Sequence, residues 1–290
     1  MKQRKWVIAV LLTPFLALTA LLLLSVWNVA VQSFGYIPAF GLTEFTTEHY
    51  EKVLHDETFL RALGVSLRIA WISAVLACAL GVLIAAALVR CRKTEGALLY
   101  LVRMPILVPH AVVAVFAINL LSQAGLLARV MAAVGIIAEQ SQFPQLLFTP
   151  DYGGAIAAYL WKEIPFVAYF VLALMSSVSE TLGEAAENLG ASPLRSFFAV
   201  TLPLTLPAIA KAFLIIFIFA FGGYELPLLL GATLPKALPV QAFLAYMSPD
   251  LRDRPYAMAM NGVILLLSVG MAALYGILTR RMLKKMGGAK

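Results

Sequence analysis

Cysteine is nearly absent from this chain, with two residues in 290, Cys78 and Cys91. One lies within a long apolar run and the other at its end, so neither a disulfide framework nor a thiolate metal cluster is expected. Histidine is as sparse. His49, His55 and His110 are scattered with no HExxH spacing, and no metal site is expected from them. There is no GxxxxGKS or GxxxxGKT phosphate loop and no GxSxG nucleophile turn, so the chain carries no signature of nucleotide binding or acyl transfer, and no cofactor is expected in it. Charge is scarce too. Only 13% of residues are charged while 62% are hydrophobic, a balance that a soluble domain could not expose without aggregating. A net charge of +7 would point to nucleic acid in a soluble protein, but here it reads as a topology signal and as contact with anionic lipid heads.

What the chain has is long apolar runs. They extend over Trp6 to Val31, Val65 to Val89, Leu98 to Leu121, Gly154 to Ser177, Ala208 to Leu230 and Tyr256 to Leu278, each near the length that crosses a bilayer. Six transmembrane helices are expected, in an all-α polytopic membrane protein. The first run follows Lys2-Gln3-Arg4-Lys5 but is too long for a signal-peptide core, so it is read as a retained anchor.

Basic residues set the orientation. Lys2, Arg4 and Lys5, then Arg90, Arg92 and Lys93, then Arg195 and Lys211, and finally Arg280, Arg281, Lys284 and Lys285 occupy the termini and the second and fourth loops. Those parts are expected in the cytoplasm. The first loop is acidic instead, with Glu44, Glu48, Glu51, Asp56 and Glu57.

Between the fourth and fifth runs lies a polar interlude at residues 179–209, reading SETLGEAAENLGASPLRSFFAVTLPLTLPAI. Thr181 with Glu184 three residues on has the form of a capping box, which predicts a short helix through Ala185, Ala186 and Leu189. Gly190 ends it, since glycine accepts the left-handed conformation that closes a helix. Ser192 before Pro193 starts a second helix, whose apolar side carries Leu194, Phe197, Phe198 and Val200. Pro203 and Pro207 are expected to break the chain before the next span. Small alanines leave room for close approach by another surface.

Glu184-Ala185-Ala186, Gly190-Ala191, Leu202-Pro203 and Pro207-Ala208-Ile209 resemble, in order and spacing, the EAA loop of permease subunits of binding-protein-dependent ABC importers. Further echoes are Arg103-Met104-Pro105, Gly125-Leu126-Leu127 and Trp161-Lys162-Glu163-Ile164-Pro165-Phe166. Phe221-Gly222-Gly223-Tyr224-Glu225-Leu226-Pro227 with Leu238-Pro239-Val240 looks most like the polyamine, ferric-iron and thiamine branch. The resemblance implies a type I importer permease fold with a cytoplasmic coupling helix. It places an N-terminal transmembrane helix and periplasmic segment at 1–60, and the permease core at 61–285. It also implies partners: two cytoplasmic ATPase subunits that bind the ATP, a second permease, identical or different, and an extracytoplasmic solute-binding protein. The location implied is the bacterial inner membrane, with both termini cytoplasmic. In that scheme Glu184, Ala185, Ala186, Leu189, Gly190, Ala191, Phe197, Leu202 and Pro203 form the ATPase-docking loop.

Ionisable residues within spans are costly, at about 2.5–3.5 kcal/mol each, and so mark functional candidates. Lys162, Glu163 and Glu225 qualify. Lys162 and Glu163 project about 100° apart on a helix and are expected to find separate partners, with helix packing the better role for Lys162. Glu225 follows Gly222-Gly223 and precedes Pro227, a combination that weakens helix continuity beside a carboxylate. Glu225, Tyr224, Phe221 and Glu163 are the candidates for the translocation path, although Tyr224 and Phe221 are more often packing residues. The acidic first loop and Glu225 favour a small cation, such as a polyamine, as solute. A secondary transporter or channel not driven by ATP is the alternative, but it would need no cytoplasmic knob, and the two halves show no internal repeat.

Overall fold

A computed structural model describes residues 3–286. The basic clusters at either terminus, Lys2, Arg4 and Lys5 and then Arg280, Arg281, Lys284 and Lys285, lie outside the residues whose side chains it describes. Among the described residues the regular structure is helical, apart from one isolated bridge between Ile37 and Leu42.

In chain order the helices are α1 (Gln3–Ser33), α2 (Glu48–His55), α3 (Glu57–Arg90), α4 (Ala97–Leu107), α5 (His110–Leu121), α6 (Leu126–Ala133), α7 (Gly153–Val178), α8 (Glu184–Asn188), α9 (Pro193–Ser196), α10 (Leu202–Gly222), α11 (Glu225–Leu230), α12 (Leu238–Tyr246) and α13 (Arg254–Met286). Two π-helical turns, Ser179–Gly183 and Phe197–Thr201, join α7 to α8 and α9 to α10 without a break. Among the described residues six stretches are long and apolar enough to cross a membrane: Val10–Ser33, Glu57–Arg90, His110–Ala133, Gly153–Asn188, Pro193–Gly222 and Leu251–Ile277.

The count agrees with the sequence, but not every boundary does. The run Leu98 to Leu121 is not a single span. It breaks between α4 and α5, where Val108 is extended at φ −76°, ψ 128°. Pro109 has no N–H to continue the helix, and its ring drives the preceding residue out of the helical region. The spanning stretch is His110–Ala133, with Ala97–Leu107 a shorter apolar helix ahead of it.

The chain divides into two compact units, one of residues up to Leu60 with Gln241–Leu266, the other of Arg61–Val240 with the segment from Leu267 onward. In the first unit the apolar stretch of the Val10–Ser33 span is unburied, as suits an anchor whose apolar side chains face lipid, and only its end at Ser33 is covered. Tyr50 of α2 donates from its hydroxyl to Ser33 Oγ at 2.8 Å. A side chain at Gly262 would collide with that ring, since a Cβ there falls 2.5 Å from the Tyr50 hydroxyl. Asp56 caps the start of α3, accepting from Thr58 N–H and Oγ1 at 2.8 Å each and from the Tyr256 hydroxyl at 2.7 Å.

The second unit is built around α7. Its buried face, with Val167, Ala168, Val171 and Met175, packs against α4, α5 and α10, and the core also takes in Ile69, Ala74 and Ala77 of α3. Gly81 makes the α3–α7 crossing possible: a Cβ there would fall 2.6 Å from Val167 Cβ and 2.8 Å from the Ile164 carbonyl oxygen. Membrane helices approach closely only where such small residues let backbones meet.

Candidate functional site

The segment 179–209 folds as a bent helical hairpin. The capping box expected at Thr181 and Glu184 is absent. The helix arrives from α7 through the π turn, so no orphan N–H awaits a cap there, and Thr181 Oγ1 donates back to the Ser177 carbonyl at 2.8 Å. The bend itself is where the sequence puts it. Gly190 is left-handed at φ +92°, Ala191 N–H bonds the Ala186 carbonyl at 3.0 Å, and Gly190 N–H bonds that of Glu187 at 2.9 Å. That pair of bonds is a Schellman closure. Ser192 then caps the second arm, its hydroxyl accepting from Arg195 N–H at 3.3 Å with Pro193 next in line.

Pro203 and Pro207 do not break the second arm. The π turn Phe197–Thr201 runs straight into Leu202, and Pro203 follows as the second residue of α10, where the widened turn takes the proline without ending the helix. The arms are stapled by Ser196, buried, whose hydroxyl donates to the Gly183 carbonyl at 3.0 Å. Glu184 pairs with Arg92 of the loop after α3 at 3.3 Å. Ala185 is exposed, Ala186, Ala191, Phe197 and Leu202 are half-buried, and Pro203 is exposed. At the tip Leu189 is 91% exposed, Leu194 72% and Phe198 62%. Three large apolar side chains therefore stand in the open on a polar hairpin, although water would favour covering them.

A second site gathers where three helices are interrupted or start. α10 ends at Gly222, Gly223 is extended at φ −74°, ψ 130°, and α11 begins at Glu225, so the run Ala208 to Leu230 is broken as Gly222, Gly223 and Pro227 imply. A side chain at Gly223 would meet the Tyr159 hydroxyl at 2.5 Å. Glu225 Oε2 lies 4.0 Å from Nδ1 of His110, the first residue of α5. Lys162 donates from Nζ to the Val108 carbonyl at 2.5 Å. Glu163, its neighbour, is 6% exposed, and neither carboxylate oxygen has a hydrogen-bond partner.

A cavity of 220 Å³ opens here, lined by Ile106, His110, Lys162, Glu163, Phe166 and Phe219 among others. Of the residues expected on a path, Glu163 lines it, while Glu225 does not and only approaches His110, which does. Tyr224 is exposed beside Glu225, while Phe221 is buried and stacks on Phe217 with ring centroids 6.2 Å apart, a packing position. His110 was not singled out from the sequence. Its signal was there in Val108-Pro109, a helix stop and restart inside an apolar run.

Comparison with known proteins supplies a frame for both sites. Residues 77–284 match the family model described as binding-protein-dependent transport system inner membrane component. The putrescine transport system permease protein PotI of Escherichia coli (strain K12) is 26% identical over 201 residues, which are 69% of this chain and 66%, just under two thirds, of that relative's length. The molybdate/tungstate transport system permease protein WtpB of Pyrococcus abyssi is 30% identical over 218 residues, 74% of this chain and 77% of the relative. A solved bacterial alginate ABC transporter in complex with an alginate pentasaccharide-bound periplasmic protein has a chain that superposes with a TM-score of 0.78 at 19% identity, over 97% of this chain and 96% of its own.

Proposed function

Because the chain belongs to the family of binding-protein-dependent transport system inner membrane components, a multi-pass membrane protein and ABC importer permease subunit, we propose that it forms half of a solute path and couples that path to separate ATPase subunits through the 179–209 hairpin. The observation that carries this reading is the hairpin tip. Leu189, Leu194 and Phe198 are exposed beyond a rigid Schellman bend, a knob shaped to fill an apolar groove on a soluble partner. Two ATPases dock on the knobs of two permeases in the cytoplasm, a second permease completes the path, and a binding protein delivers solute on the other face. The termini lie on the cytoplasmic side with the hairpin. The chain itself needs no cofactor and hydrolyses nothing. Its contribution is a conformational equilibrium that the partners bias through differential contacts.

The solute we propose is a small cation of the polyamine type. The cavity holds Glu163, with Glu225 4.0 Å from its His110, against one ammonium, Lys162, which already spends a donor on the Val108 carbonyl. The putrescine permease relative agrees with that sign. A second reading, an oxyanion, draws on Lys162 and His110 in the same cavity and on the molybdate/tungstate relative.

The test of the coupling role is reconstitution. The purified chain alone is expected to turn over no ATP, and the complex with its ATPase to do so faster when loaded binding protein is added. ATP turnover by the isolated chain would overturn the reading.

A further inference from the structure

The 220 Å³ cavity has a neighbour. A second cavity, of 760 Å³, is lined by Arg103, Tyr169, Ser176 and Glu180 among others, toward the hairpin end of α7. Phe166 lines both. The residues concerned, Lys162, Phe166, Tyr169, Ala173 and Ser177 of α7 and Glu180 of the π turn that follows it, fall within an arc of about 80° when each residue turns the helix by about 100°. They form one stripe, and Phe166 to Glu180 covers about 21 Å of helix rise.

Each chamber has its own polar furniture. Lys162, Glu163 and His110 stand in the first. In the second the Arg103 guanidinium lies over the Tyr169 ring, 4.2 Å from its centroid, and Ser176 Oγ donates to Glu180 at 2.7 Å. The Phe166 ring between them packs on Phe170, centroids 5.7 Å apart. Along α7 the Phe166 ring thus stands between Lys162 and Glu163 on one side and Tyr169, Ser176 and Glu180 on the other, and an apolar ring so placed excludes water and blocks hydrated ions and small solutes until it moves.

We propose that the two cavities are consecutive chambers of one solute path down α7, and that Phe166 is the side chain that closes it between them. This rests on the permease reading above. A solute leaving the Glu163 chamber displaces the Phe166 ring and then meets the wider chamber that opens toward the coupling hairpin. Closure at Phe166 lets solute sit beside Glu163 without a continuous leak.

The experiment is thiol accessibility in the assembled complex, in inside-out membrane vesicles, with Cys91→Ser removing the exposed native thiol and Cys78 left buried. A membrane-impermeant cationic methanethiosulfonate is the probe. Ser177→Cys in the wide chamber should label readily whatever stands at position 166, which also reports correct folding. Ile106→Cys in the first chamber should label slowly with Phe166 in place and about tenfold faster with Phe166→Ala. Should Phe166→Ala fail to assemble, Phe166→Leu is read in its place, with a smaller acceleration expected. Equal Ile106→Cys rates with and without the ring overturn the gate. Labelling needs neither solute nor ATP turnover, so that result in a complex that still imports would sink the gate alone. A wild-type complex without ATP-driven uptake would sink the permease reading instead.

Discussion

The Lys162 ammonium and the Val108 carbonyl meet at 2.5 Å, tying the middle of α7 to the break between α4 and α5. Pro109 creates the need for this bond. It ends α4 at Leu107, and the last carbonyls of a helix have no partner within it and carry the negative end of its dipole. A lysine from the neighbouring helix satisfies one of them and supplies the matching charge. An intramembrane ammonium thereby gains a partner without using the adjacent Glu163, as the angular offset between the two residues requires.

Lys162→Met should therefore destabilise the folded chain. The Val108 carbonyl loses its donor in a medium with little water, at a cost of about 1–2 kcal/mol. The melting temperature of the detergent-solubilised complex should fall by several degrees, while Lys162→Arg, which keeps a donor and the charge, should restore most of it. A Met variant that melts with the wild type would show that the bond contributes nothing.

Gly190→Val tests the hairpin. No atom lies within 4 Å of a Cβ built at Gly190, so the substitution meets no steric obstacle and acts through backbone conformation alone. A β-branched residue at φ +92° costs about 1–2 kcal/mol locally, and relaxing that strain tilts Leu189 away from Leu194. ATPase co-purification and transport should drop while membrane insertion stays normal. Arg92→Ala is the control: its pair with Glu184 is largely exposed and contributes about 0–1 kcal/mol, so the hairpin should keep its fold and its ATPase. Wild-type uptake in the valine variant would remove the bend from the coupling mechanism.

Much of this was legible in the chain. Gly190 and Ser192-Pro193 announce the bend because helix closure and helix start depend on local backbone chemistry, and Gly222-Gly223 with Pro227 announce the interruption at Glu225 for the same reason. The misreadings share a cause as well. Thr181-Glu184 and Pro203 are start and stop signals by composition, but two π turns carry the helices through them, and a π turn has no strong sequence mark. The stop at Pro109 leaves no trace in the hydropathy of the apolar run from Leu98 to Leu121, because hydropathy averages across a single proline. The partner of Lys162 lies 54 residues away, and the sharing of Phe166 by two cavities depends on how α4, α7 and α10 pack, neither of which any local pattern encodes.

Glu225→Gln decides the sign of the solute. The carboxylate is about half exposed beside His110, so its attraction for a cation about 4 Å away is close to the value in water, about 1 kcal/mol, or about fivefold in occupancy. The amide keeps the shape and most of the hydrogen bonding of the side chain, so the complex should assemble with unchanged basal ATPase. Uptake of a polyamine such as putrescine should fall about fivefold at concentrations below saturation and recover at higher ones, since the loss is in binding. An oxyanion solute reverses the sign, because removing the carboxylate beside Lys162 and His110 relieves repulsion, and uptake of molybdate or tungstate would rise. Unchanged uptake of either class would leave Glu225 an acidic first-turn residue of α11 that favours the helix dipole, with selectivity set elsewhere along α7.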